Sequence, residues 1–494
     1  MTALEEQRAL VAALVRTLAP AELFETHISW VVVAGDMAWK IKKAVRLAFL
    51  DWRAPAARRA CCDEEVRLNR RYAPGLYLGV VAVTGSVAAP RIGGAGPVLE
   101  YVVAMRRFPQ HALWTARLAA GELGSADVQG LGHVLAQFHA VAAPCPADAP
   151  WGTAACVIAR TATDLAELRP LLPDEGPALD ALCRWHARAA WGHRRFTWRH
   201  AHGAVRECHG DLHCGNLVTL DGAAMPFDGI EFDPALRWID TMHDLAFAWM
   251  DLRFHGRPDL AARLLNAYLH AGGDHGGLCV LRYYTVQRAL VRAKVCALAG
   301  DAALARRYLL YAHTQAAPAR GALLVTHGYS GSGKSTLADG LIEPLGALVL
   351  RSDVERRRTV GAQYTSAATR ATYAHLLRLA RRALAAGLPV VVDAACLQGW
   401  QRAAFAALAH ARGVPFLLLD VHAPLAALPA RLRARAAAGA DPSDADEAVL
   451  ASQLAHAEPL SAAERAGALA VAGGEPCVPL VRQALTRLGW RDAR

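Results

Sequence analysis

The segment Gly328-Tyr329-Ser330-Gly331-Ser332-Gly333-Lys334-Ser335 contains the residue types needed to wrap a polyphosphate. Glycines let backbone N–H groups turn inward around phosphate oxygens, a lysine reaches the β and γ oxygens, and a serine hydroxyl holds Mg²⁺. An apolar strand, ALLVTH, precedes this loop and a helix follows whose N-terminus favours anions. The expectation is a nucleoside triphosphate site cradled by Gly328, Ser330, Gly331, Ser332 and Gly333. Lys334 would lie on the phosphates, Ser335 on the metal, and Thr336 would assist. Two acids are expected at the ends of later strands: Asp353 at the end of ALVLRSD and Asp393 at the end of PVVVDA. Carboxyl ends of neighbouring strands in an α/β sheet line the ligand crevice. One acid can orient or deprotonate an acceptor hydroxyl and the other can hold a metal-bound water. The competing role for each is to cap the helix that follows.

A second constellation lies upstream in HGDLHCGN (209–216), followed by Phe227-Asp228-Gly229. Phosphoryl transfer needs a carboxylate near the acceptor hydroxyl and oxygen ligands for the Mg²⁺ on ATP. Asp211 can serve as the base, and Asn216 and Asp228 as metal ligands. Zinc is the alternative chemistry, from Cys208, His209, His213 and Cys214. These are two adjacent pairs, however, and they lack the two-to-four-residue gap of common zinc sites.

The surrounding pattern must position both sets. Residues 24–52 alternate like a hairpin, with a strand around Ile28–Val33, a Gly35-Asp36 turn and a second strand over 38–42. CCDEEVRLNRRYA (61–73) reads as helix, and LYLGVVAV (76–83) and LEYVVAMRRF (99–108) read as strands. From about 110 to 205 the pattern is mainly helical, 209–233 reads as loop and short strands, and helices run on to about 315. AHTQAAPARG (312–321) loses periodicity and marks a boundary. Beyond it, strands ALLVTH, ALVLRS, PVVVDA and PFLLLDV alternate with helices and predict a parallel, doubly wound sheet. The expected domains are 1–315 and 321–494.

A chain of 494 residues, 54% hydrophobic and 20% charged, is long enough for two cores and is not disordered in composition. Its net charge of +10 attracts anionic partners such as nucleotides or nucleic acid. No dense basic tract with interleaved aromatics stands out, so nucleic acid is the less favoured partner. Eleven scattered cysteines without a C-x-x-C pair, no secretory leader and no apolar run of membrane-spanning length point to a cytoplasmic protein.

Residues 321–490 resemble the small P-loop kinases, a group that includes gluconate and shikimate kinases, polynucleotide kinase and zeta-type toxins. That likeness implies that Asp353 is the acceptor-side base and that Arg431 and Arg435, in LPARLRARAAAG, belong to a lid closing on the phosphates. A solvated helix face would also carry such arginines. DPSDADEAVLASQ (441–453) follows as a Pro/Asp turn into a helix.

The H-G-D-x-H-x-x-N core, Asp228 and the Asp244-Leu-Ala segment resemble the aminoglycoside phosphotransferase family, which shares the protein-kinase-like fold. The likeness implies a nucleotide-anchoring lysine on an early strand paired with a helix glutamate. Lys40 comes first and Lys42 second, with Glu65 ahead of Glu64. No G-x-G-x-x-G loop precedes Lys40, and nothing identifies an aminoglycoside pocket. The order of the two parts, together with LNRRYAPGLYLGVV (68–81) after the glutamate helix, resembles bacterial fused proteins described as bifunctional aminoglycoside phosphotransferase/ATP-binding proteins. The implied architecture is an α+β protein-kinase-like N-terminal domain joined to an α/β P-loop kinase domain. The implied function is an ATP- and Mg²⁺-dependent phosphotransferase with two nucleotide sites and a small polar acceptor. A regulatory ATP-binding domain, or a nucleic-acid-end or toxin-like kinase, is the alternative. Oligomeric state is not legible.

Overall fold

The computed structural model describes residues 3–47, 50–361, 365–438, 445–473 and 476–490. The expected Pro/Asp turn at 441–444 lies outside the described residues; the helix after it spans Glu447–His456. The chain forms two compact units, Met1–Thr161 with Gly192–Asp251, and Ala162–Trp191 with Leu252–Arg494.

In the first unit, an antiparallel sheet runs in the order Ala21–Glu25, Ser29–Ala34, Met37–Lys42, Val98–Arg106, Tyr77–Gly85, Pro90–Ile92. Side chains alternate across each strand, so the sheet has two apolar faces. Trp30, Val32, Ile41 and Val102 pack against Leu10, Val11 and Leu14 of the Ala3–Thr17 helix. The opposite face sets Val33, Ala38 and Val103 against Cys62 and Val66 of the Pro55–Asn69 helix. Period-two alternation puts Lys40 and Lys42 on the same face as Ala38, so both point towards that helix. Proline at its first turn suits the helix start, since the missing N–H has no intrahelical partner there.

The second unit is built on a five-stranded parallel sheet, ordered Leu348–Arg351, Val390–Asp393, Leu323–His327, Phe416–His422, Leu469–Ala472. The first four strands are those expected; the fifth, LAVA, was not foreseen, because a short alanine-rich run has no strand signature of its own. Leu324, Val349, Val391 and Leu419 form its core with Leu337 and Ala338 of the Lys334–Gly340 helix.

The edge strand Leu348–Arg351 is closed by a helix, Pro258–Gly272, which lies upstream of the expected boundary. Asn266 accepts from Val349 N at 2.8 Å and donates to Ala347 O at 2.8 Å, and His270 Nε2 meets Val349 O at 3.0 Å. The two side chains thus satisfy backbone groups that an open sheet edge would expose. Arg263, one turn earlier, bonds Asp339 at 2.6 Å and Glu343 at 3.0 Å. The Pro258–Gly272 helix therefore packs on the edge of the parallel sheet, and the helices that follow it to Ala316 belong to the same compact unit, which begins at Leu252 and also takes in Ala162–Trp191. Periodicity gives a helix its inward face but not the sheet that face meets. No helix among the described residues is long and apolar enough to cross a membrane.

Candidate functional site

In the second unit, the loop after Leu323–His327 turns back above the sheet at Gly328, where φ is 142°. An added Cβ at Gly328 would stand 2.2 Å from Val421 O on the neighbouring strand. Only glycine allows so close an approach. Gln453 pins the loop tip, accepting from Ser330 N at 2.9 Å and donating to Ser330 Oγ at 3.0 Å. Lys334 Nζ donates to Tyr329 O at 2.7 Å, and the Ser332 hydroxyl is buried inside the loop.

Gly331, Gly333, Ser335 and Thr336 line a cleft of about 1160 Å³ at the carboxyl ends of the strands. Asp393 closes its strand, and the next helix starts only at Gly399 behind a Gln398 cap, so Asp393 is not a helix cap. It bonds the Ser335 hydroxyl, and burial raises its pKa despite that bond and the nearby Arg351 and Lys334 charges. Burial likewise lowers the pKa of Lys334, partly offset by Asp393 and Asp353. An ammonium held below its ordinary range by burial gains most when a polyphosphate enters the cleft.

Asp353 lies in the first turn of the Ser352–Thr359 helix instead of ending a strand, and Arg351 takes the cap position. Its carboxylate lines the cleft and pairs with Arg356 at 3.1 Å. Arg351 Nε stands 3.5 Å from Asp393. Arg431 and Arg435 belong to the Leu428–Ala438 helix. Arg431 donates to Gly331 O at 3.4 Å and Arg435 to Ala445 O at 2.6 Å. All these residues face one cleft. Gln453, Arg351, Tyr373, Trp400 and Arg370 join them without having been foreseen. Only Arg351 carried a local signal, its place two residues before Asp353.

The first unit gathers the other set. Lys40 Nζ bonds Glu65 at 2.9 Å and makes a short ion pair with Asp228. Lys42 bonds Glu65 at 2.5 Å and pairs closely with Glu231. Glu64 turns away to Arg67 and Arg237, each at 2.7 Å, so Glu65 is the carboxylate both lysines meet. Burial opposes a charged Lys40, but Asp228, Glu65 and Glu231 outweigh it and hold its pKa well above the ordinary value. The two lysines in turn hold Glu65 ionised against the same burial cost. Asp228 has φ of 60°, a left-handed backbone uncommon outside glycine. Tyr77 OH accepts from Asp228 N at 3.0 Å and Asn69 Oδ1 from Gly229 N at 2.8 Å, fixing that turn.

Asn216 Nδ2 donates to the Asp211 carboxylate and to Asp211 O, both at 2.9 Å, and His213 stands 3.5 Å from Asp211. Two acids on one face of the Thr241–Phe254 helix hold this loop. Asp244 accepts from His209 N at 3.2 Å and Gly210 N at 2.9 Å, and Asp251 accepts from Cys214 N at 2.9 Å. Residues seven apart on a helix lie two turns along the same face. His139 completes the support at 3.1 Å from Asp244. Of the four residues weighed for zinc, only Cys208 joins a close group of metal-capable atoms among the described residues. Its companions there are His139 and Asp244, the latter already bonded to two backbone N–H groups. Glu231, Asn69, Tyr77 and His139 were not foreseen.

Residues 323–460 match the family model described as AAA domain, which agrees with a P-loop nucleotide-binding unit on a parallel sheet. A gluconokinase from Sinorhizobium meliloti 1021 aligns at 24% identity, covering 35% of this chain and 94% of its own, with a TM-score of 0.26. A glucosamine kinase in complex with glucosamine, ADP and inorganic phosphate aligns at 19% identity, covering 62% of this chain and 83% of its own, with a TM-score of 0.37. The Mycobacterium tuberculosis protein designated Uncharacterized protein Rv2004c is 33% identical over 394 residues, which is 75% of this chain and 77% of the relative. With that identity over three quarters of both sequences, the chain belongs to the family of the mycobacterial protein Rv2004c.

Proposed function

We propose that this chain is an ATP-dependent phosphotransferase with two nucleotide sites, passing γ-phosphoryl groups to hydroxyls of small polar metabolites. The observation that carries the reading is the convergence of Lys334, Ser335, Asp353 and Asp393 on one cleft. Ser335 and Asp393 offer bonded hard oxygens of the kind Mg²⁺ prefers. Bound there, the ion would neutralise charge on the β and γ phosphates. Lys334 and the arginines of the Leu428–Ala438 helix would balance the remaining phosphate charge, and Asp353 would take the acceptor proton.

A second transfer site in the first unit is supported by the Lys40–Glu65 pair beside Asp228 and the Asp211–Asn216 pair. Lys40 would hold ATP phosphates, Asn216 and Asp228 the Mg²⁺, and Asp211 would act as base. This unit is proposed to be kinase-like in the manner of aminoglycoside phosphotransferases, without an aminoglycoside acceptor. Eleven cysteines, none of them in a disulfide, suit the reducing cytoplasm proposed for it.

The test follows γ-labelled phosphate into a metabolite extract with wild type, Asp211→Asn and Lys334→Ala. Each substitution should remove a different labelled product. If Lys334→Ala abolishes nucleotide binding but removes no product, the second unit is a regulator and the two-site reading fails. Labelled 5′ ends of nucleic acid would assign a nucleic-acid-end kinase instead.

A further inference from the structure

Two lysines stand on one face of the Met37–Lys42 strand in the first unit, and they differ in what they can reach. From the open side inward, opposite charges alternate: Asp228, Lys40, Glu65, Lys42, Glu231. Asp228 keeps 41% of its side chain exposed and Lys40 11%, whereas Lys42 and Glu65 are fully buried. Glu65 divides its carboxylate between the lysines, Oε1 meeting Lys40 at 2.9 Å and Oε2 meeting Lys42 at 2.5 Å. With both oxygens held, the carboxylate plane is fixed, and that plane decides where the Lys40 ammonium sits.

Lys42 is walled in on its remaining sides. Its Nζ lies 5.2 Å from the centre of the Trp52 ring, and Trp52 packs edge-on against Phe232 with ring centres 6.4 Å apart. Phe232 follows Glu231, the carboxylate that pairs closely with Lys42. Glu231 also accepts from the Cys61 thiol at 3.4 Å, which burial keeps protonated, and Arg237 donates to the Glu231 backbone carbonyl at 3.0 Å. A buried ion pair is a poor source of stability, since replacing both members by apolar groups of similar size is often neutral or stabilising. Stability alone therefore gives no reason for Lys42 and Glu231 to stand here. What they supply is charge placed behind Glu65. Lys42 answers part of the Glu65 charge and Glu231 answers Lys42, so Lys40 is the cation that faces the open side beside Asp228.

We propose that Lys42 and Glu231 are a positioning pair for phosphoryl transfer in the first unit, holding Glu65 so that Lys40 alone meets the nucleotide phosphates. The inference rests on reading this unit as a transfer site and divides the roles of the two lysines within it. Lys42 and Glu231 touch neither nucleotide nor acceptor. They act through Glu65, whose second oxygen is the contact to Lys40. With Lys42 sharing the Glu65 charge, Lys40 is bound less tightly to that carboxylate and is available to a phosphate oxygen, its ammonium carrying three donors. Lys42, matched by Glu231 and enclosed by Trp52, is not drawn to the same phosphate.

The experiment uses full-length protein, saturating γ-labelled ATP and a metabolite extract at fixed dilution as the acceptor source. Only label that Asp211→Asn loses is counted. The variant combines Lys42→Met with Glu231→Gln, which removes the pair together and strands neither charge. Slow hydrogen exchange in the Met37–Lys42 strand shows that it is folded, and loss of all that protection would make the pair purely structural and overturn the proposal. In the folded variant the labelling rate should fall by about tenfold or more, as expected when Lys40 is misplaced; a smaller loss overturns the proposal. A second arm repeats the substitutions in a Glu65→Gln background, where Lys40 keeps Asp228 and Lys42 keeps Glu231. A pair that acts through Glu65 should there change the rate by less than about threefold, and a larger further loss shows that it acts by another route and overturns the assignment. If Asp211→Asn loses no label at all, the transfer reading of this unit falls and the proposal falls with it, an outcome distinct from a labelling rate that survives in the folded variant.

Discussion

Gly473 follows the last strand of the parallel sheet, where its N–H bonds His422 O at 2.9 Å. A Cβ at this position would stand 1.7 Å from Ser332 O in the phosphate loop and 2.9 Å from Ser332 C, both backbone atoms. No side-chain rotation relieves that overlap, so Gly473→Ala must push strand and loop apart by more than ~1 Å in a close-packed interior. The loop places Lys334 and Ser335, and a ~1 Å error in positioning groups costs ~10²-fold in rate. The expected result is at least a hundredfold loss of Lys334-dependent phosphate transfer and a comparable weakening of Mg-ATP binding. Titration with a fluorescent ATP analogue and the labelled-phosphate assay measure the two. Gly340→Ala is the control, since an added Cβ there meets nothing within 4 Å. If Gly473→Ala binds nucleotide within about threefold of wild type, the exit of the last strand does not set the loop, and the reasoning is refuted.

Two further perturbations test the supports of the candidate sites. Burial lowers the pKa of His270 to about 4. The unfolded chain therefore takes up a proton near pH 6.5 that the folded chain refuses, and stability falls as pH drops from about 6.5 to about 4, by at most ~3 kcal/mol. His270→Gln keeps a donor for Val349 O and should flatten that part of the stability–pH curve; a curve identical to wild type would remove His270 as its cause. Lys42→Met leaves Glu231 and Glu65 short of a buried cation and should cost about 3–5 kcal/mol in the first unit, read by hydrogen exchange of the Met37–Lys42 strand. Adding Glu231→Gln should restore part of that loss, and equal protection in wild type and Lys42→Met would show that the network contributes nothing.

Wherever the chemistry is local, the chain could be read directly. The phosphate loop is eight consecutive residues whose backbone freedom, charge and hydroxyl follow from residue type, and the strand before it and helix after it follow from apolar pattern. The hairpin of 29–42 was equally legible, because alternation and a Gly-Asp turn are short-range signals, and alternation alone puts Lys40 and Lys42 on one face. It could not choose between them, and both lysines meet Glu65. Tertiary structure decided the pairings that span the sequence. Asp228 reaches Lys40 across 188 residues and Asn69 fixes Gly229 across 160, and no periodicity encodes such separations. Both Asp353 and Asp393 were expected at strand ends; the tertiary structure kept Asp393 there, facing Ser335, and put Asp353 in the first turn of a helix. Finally, it set the Pro258–Gly272 helix on the edge of the parallel sheet, where Asn266 and His270 bond the edge strand. Sequence specifies which backbone groups and faces need a partner; which partner they find depends on how the whole chain closes around its cores.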